Sequence, residues 1–65
     1  MKKTIRQFVK LFGEEMRYDL CTYTPINYSE DAFSMVDFTE CFGDWFDDIP
    51  KEIHIVENIC IFILY

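Results

Sequence analysis

Carboxylates are the groups with which this chain could do chemistry: it holds twelve Asp and Glu residues against one histidine. The densest run is D-F-T-E-C-F-G-D-W-F-D-D-I-P, in which Asp37, Glu40, Asp44, Asp47 and Asp48 recur at intervals of three, four, three and one. On a helix, at about 100° per residue, these positions fall within roughly a quarter of the circumference. Cys41, Phe42, Trp45, Phe46 and Ile49 would occupy an adjoining apolar sector. Side chains arranged this way could attract Mg²⁺ or Ca²⁺ loosely, but their spacing matches no calcium loop. They are better suited to presenting negative charge to a partner. From Asp37 to Asp48 a single helix would rise about 16 Å at about 1.5 Å per residue. One DNA strand carries about five phosphates over that length. A ridge of that charge density could occupy a basic groove made for nucleic acid. The same pattern also suits a solvated face opposite a buried one, and the residues alone leave both readings open.

No other constellation points to catalysis. His54 alternates with Ile53 and Ile55 in a strand-like run, which marks a structural or surface histidine. Ser29 and Ser34 stand near turn or strand positions without a nucleophile signature. The two glycines lie thirty residues apart, so there is no phosphate-cradling loop, and no ligand set reads as zinc. The chain is expected not to be an enzyme and to need no cofactor or metal.

Sixty-five residues make one small domain, 1–65, burying only about 60% of its unfolded surface. Cys21, Cys41 and Cys60 are odd in number and form no CxxC, which reads as thiols in a reducing cytosol. No signal peptide is evident, and I-C-I-F-I-L-Y is too short to span a bilayer. Seven Phe, four Tyr and one Trp either fill a core with few residues or furnish a partner surface. Residues 1–17 hold five of the six Lys and Arg against two Glu, a net of +3; residues 18–65 hold Lys51 against ten acids, a net of −9. That balance argues against nucleic acid or an anionic membrane as direct partner and favours a basic protein.

The elements that must position the carboxylates follow from the hydrophobic pattern. Ile5, Phe8, Val9 and Phe12 have helical spacing, with Thr4 and Gln7 as a capping box and Gly13 as a stop, so a helix ends between Phe12 and Met16. Arg6, Lys10 and Arg17 share its opposite face. Tyr18–Thr24 reads as a strand ended by Pro25, and P-I-N-Y-S-E-D as a turn. A-F-S-M-V is expected to pair back as a strand, with a helix start capped by Ser29 as the alternative. Asp37 then caps the acidic helix with Glu40 completing its box, Gly43 weakens it, and Pro50 closes it. Asp47 and Asp48 at its end oppose the helix dipole. E-I-H-I-V and I-C-I-F-I-L around Glu57-Asn58 form a β-hairpin. The last strand is apolar on both faces and therefore central, or covered by another subunit. In order, α-β-β-α-β-β gives an α+β domain: an antiparallel sheet of about four strands with two helices packed on it. The two-sided strand makes a homodimer plausible.

In build, the opening helix T-I-R-Q-F-V-K-L-F, the acidic middle and the closing hairpin E-I-H-I-V-E-N-I-C-I-F-I-L resemble small proteins of bacteriophages and mobile elements, including anti-CRISPR inhibitors. The resemblance implies a non-catalytic inhibitor acting in the host cytoplasm, by occupying a nucleic-acid channel or locking a host nuclease. It makes Asp37, Glu40, Asp44, Asp47 and Asp48 the candidate contact residues. An acidic antitoxin or immunity protein, and a self-associating accessory protein, are the competing expectations.

Overall fold

The computed structural model describes residues 2–21 and 32–64. Its elements are α1 (Ile5–Phe12), β1 (Arg17–Cys21), α2 (Met35–Phe42), a 3₁₀ turn (Gly43–Trp45), β2 (Glu52–Val56) and β3 (Ile59–Ile63). The sheet has three strands in the order β1-β3-β2, with β1 parallel and β2 antiparallel to β3. The fold is therefore α+β with two helices and a mixed sheet, not the four-stranded antiparallel sheet expected.

Two local facts account for the difference. Ser34 is the N-cap of α2 and its hydroxyl accepts from the Asp37 N–H at 3.3 Å, so Met35 and Val36 enter the helix instead of a strand. Only Phe33 pairs back, as an isolated antiparallel bridge to Tyr18. On its other edge β1 runs parallel to β3. The 37 residues between Cys21 and Ile59 are ample for the crossover a parallel pair needs. The cap expected at Asp37 thus lies three residues earlier. Residues 22–31, which include Ser29, the expected strand end at Thr24 and the P-I-N-Y-S-E-D turn, lie outside the described residues.

Helix α1 matches its expected signals. Thr4 and Gln7 form the reciprocal capping box, and the Gly13 N–H closes the helix on the Val9 carbonyl at 2.9 Å. Arg17 does not continue that helix's basic face; it opens β1 and donates through Nε to the Ala32 carbonyl at 2.9 Å. The hairpin is also as expected, with Glu57 taking a φ of 56° in its two-residue loop, where glycine is usual. β3 is the central strand, and Cys60, Ile61, Phe62 and Ile63 are all buried.

Among the described residues the phenylalanines and Tyr18 go inward, while Trp45 stays exposed. Tyr18, Phe38, Phe46 and Phe62 are buried in one cluster with Ile5 and Val9, and Phe8, Phe12, Phe33 and Phe42 pack against it. All seven phenylalanines therefore serve this core. Ring contacts run from Tyr18 and Phe62 through Phe38 to Phe42 and Phe46, with centroids 5.1–6.2 Å apart. The Tyr18 hydroxyl donates to the Gly13 carbonyl at 2.6 Å, so the largest buried ring is also a satisfied one. On the other sheet face Cys21, Ile61 and Ile63 form a smaller cluster.

Candidate functional site

The acidic segment is positioned by an aromatic stripe. Phe38, Phe42 and Phe46 follow one another at intervals of four, with Phe38 and Phe46 buried and Phe42 half-buried. This is the inward line of the segment, and it differs from the expected one. Cys41 is exposed, and so are Trp45 and Ile49, at 36% and 48%. Phe38, outside the expected apolar sector, is fully buried.

Nor do residues 37–48 form one rod. The α-helix ends at Phe42, whose backbone (φ −122°, ψ 21°) leaves helical geometry. Gly43 opens a 3₁₀ turn, closed by the Phe46 N–H on the Gly43 carbonyl at 3.2 Å. A 3₁₀ turn holds three residues and rises about 2.0 Å per residue, so the phase set by the first helix is lost. Asp37 and Glu40 stand on α2; Asp44, Asp47 and Asp48 stand on the turns after it. The match to phosphate spacing, which needs one straight ridge, falls with the rod.

The carboxylates themselves remain at the surface. Asp37, Glu40, Asp44, Asp47 and Asp48 are all exposed. Among the described residues one ion pair reaches them, Arg6 Nε to Asp47 Oδ1 at 3.3 Å, between two solvent-exposed side chains. Such a pair contributes little to stability, about 0–1 kcal/mol. No Lys or Arg lies between Ala32 and Pro50, so the whole stretch is uncompensated along the chain.

The end of this segment docks on α1. The Arg6 N–H donates to the Phe46 carbonyl at 2.9 Å and the Ile5 N–H to the Asp48 carbonyl at 3.0 Å. Two of the first-turn donors that a helix leaves unpaired are thereby satisfied. The arrangement also resolves the apparent dipole conflict. Asp47 and Asp48 are not at the C-terminus of α2; they lie beside the N-terminus of α1, where negative charge is favourable. Asp37 sits in the first turn of α2 for the same reason. Asp44 likewise stands in the first turn of the 3₁₀ element, whereas Glu40 has neither a helix N-terminus nor a cation beside it among the described residues.

Other titratable groups serve the interior. Burial pushes the Cys60 thiol up to about 12. Burial also raises the Tyr18 phenol, with a smaller push from Cys60. The Asp19 carboxyl is raised by burial, although the Leu20 N–H donates to it at 2.8 Å and works the other way. His54 Nε2 lies 3.1 Å from Glu52 Oε2, on the sheet, as a half-buried residue.

One feature had no sequence signal. Lys2, Lys3 and Lys51 surround an open cavity of about 360 Å³ floored by Phe8, Ile49 and Ile53. Lys51 is brought to the opening lysines only by the fold, 48 positions along the chain. The molecule therefore has a small basic pole besides its acidic segment. No helix among the described residues is long and apolar enough to cross a membrane. No protein-family model matches the chain, and no match was found among curated proteins or solved structures.

Proposed function

We propose that the chain is a non-catalytic inhibitor that binds a basic, nucleic-acid-handling protein through the acidic surface of residues 37–48. The observation that carries this reading is the exposure of Asp37, Glu40, Asp44, Asp47 and Asp48 with a single weak ion pair among them. Glu40 weighs most, because nothing among the described residues around it accounts for a negative charge there. The likeness to nucleic acid is one of charge, not of phosphate spacing, since the segment is bent at Phe42. Binding of this kind gains on-rate and specificity from long-range attraction and weakens as salt screens it. The resemblance in build to anti-CRISPR-type inhibitors agrees with a host nuclease as target and the host cytoplasm as setting. A cognate basic toxin would present the same chemistry.

The test is capture of lysate proteins on the immobilised chain at about 0.05 M and about 0.5 M salt, with duplex DNA as competitor. The expected ligand is a nucleic-acid-binding protein released both by salt and by DNA. Replacing Glu40→Gln together with Asp44→Asn should lower its affinity about tenfold while leaving the urea midpoint unchanged. Capture that survives high salt, DNA and this double variant would overturn the reading.

A further inference from the structure

Among the described residues, one of the sheet's two outer strands is capped and the other is open. The outer side of β1 is taken by Phe33, whose N–H and carbonyl both pair with Tyr18 at 2.8 Å, and by Ala32, whose carbonyl accepts from Arg17. Among the described residues nothing pairs in this way with the outer side of β2. Its hairpin loop has two residues, which makes Val56 and Ile59 a hydrogen-bonded pair, and the pattern alternates from there as far as Glu52. Beyond Glu52 the Lys51 N–H also turns inward, to the Ile63 carbonyl at 2.7 Å. His54 and Glu52 thus turn their backbone groups toward β3. Ile53 and Ile55 turn theirs outward. Apolar side chains flank this edge in water: Ile55 is 54% exposed and Val56 50%.

An open edge is a template for another strand, and its residues select which one. Lys51 stands one residue before β2 and Glu57 one residue after it. Let a second copy lie antiparallel across a twofold axis at His54. Ile53 then faces the partner's Ile55, and Ile55 the partner's Ile53, each through outward N–H and carbonyl groups. At both ends Lys51 meets the partner's Glu57. Sliding the pairing by two residues keeps the hydrogen-bond parity but sets Lys51 against an isoleucine and loses both ion pairs. Sliding it by one breaks the parity. The histidines meet on the axis, each with its own Glu52 carboxylate 3.1 Å from Nε2.

We propose that β2 pairs with β2 of a second copy in this register, joining two three-stranded sheets into one of six strands. The interface is isologous, as a twofold dimer requires. It is independent of the acidic surface and would put two such surfaces on one particle, which strengthens attachment to a partner with two sites. The reason for pairing is the edge of β2, not the two-sided strand β3, whose side chains are already buried.

Sedimentation velocity between about 5 and 200 μM tests this, with circular dichroism to confirm folding. The wild-type chain should pass from monomer to dimer in that range. Glu57→Lys alone, or Lys51→Glu alone, turns two attractions into two repulsions and should weaken the dimer about tenfold. Both changes together should restore it, a recovery that damaged folding cannot imitate. Ile55→Pro removes an outward N–H without touching the bonds to β3 and should give a monomer. A wild-type monomer at 200 μM would overturn the proposal. So would a dimer indifferent to the single charge reversals, or a double variant that fails to recover.

Discussion

Two glycine-to-alanine substitutions should move stability in opposite directions, and the structure supplies both signs. Gly13 has φ 79° and ψ −161°, a region that side-chain-bearing residues avoid, so alanine there costs about 1–3 kcal/mol. No atom lies within 4 Å of where its Cβ would stand, so the cost is that of the local backbone alone. Relaxation is opposed, because the Gly13 carbonyl accepts the buried Tyr18 hydroxyl at 2.6 Å and rotating it away would leave that hydroxyl unpaired. Gly43, in contrast, has φ −57° and ψ −30°, with open space around it. Alanine fits there and should stabilise by about 0.4–1 kcal/mol, mainly by restricting the unfolded chain. The two variants should therefore differ by about 1.5–4 kcal/mol, some 6–30 °C in melting temperature for a domain this small. Urea melts give the measurement: midpoints shifted in opposite directions with an unchanged slope. If Gly13→Ala melts with the wild type, or both variants shift the same way, the reasoning from these dihedrals is wrong.

Two further expectations concern single groups. Iodoacetamide at about pH 8 should label exposed Cys41 rapidly and Cys60 only on unfolding, since Cys60 is buried with its thiol pushed up to about 12; mass spectrometry of digested protein locates the label. Asp19→Asn should raise the urea midpoint at neutral pH, because the folded carboxyl holds its proton more tightly than the unfolded one and its ionisation costs stability. That cost is present above the folded pKa, fades as pH falls through it and is gone below the ordinary value of 3.8, so the variant's advantage should disappear under acid. An advantage that persists unchanged at about pH 3 would assign it to packing instead.

Much of the fold was legible where local chemistry decided the outcome. The Thr4–Gln7 box, the Gly13 stop, the Glu57-Asn58 hairpin and the central place of Ile59–Ile63 all rest on residues close in sequence. What escaped were choices between near-equal alternatives settled at a distance. A-F-S-M-V could be a strand or a helix start, and Ser34 settled it by capping. The parallel pairing of Arg17–Cys21 with Ile59–Ile63 has no sequence signature, because it joins segments 42 positions apart. The acidic positions were read correctly as exposed, whereas Cys41, Trp45 and Ile49 were placed on the wrong side. For Trp45 and Ile49 the reason is that a helix wheel keeps its phase only while the helix lasts, and this one ends at Phe42. Cys41, still inside the helix, lies off the Phe38–Phe42 line that turns inward. The lysine-ringed cavity joins residues from opposite ends of the chain, and no window of sequence contains it.

The position of β3 has a consequence for assembly. Both of its neighbours, β1 and β2, precede it in the chain, and Arg17 waits for Ile59 across 42 positions. At about 5–20 residues per second of synthesis, the first strand and the rings beside it stay without their keystone for some 2–8 s. Nascent chains would meanwhile expose Tyr18 and the phenylalanines of both helices. Folding then has to be nearly all-or-none, completed when Ile59–Ile63 arrives and pairs with both of its neighbours at once.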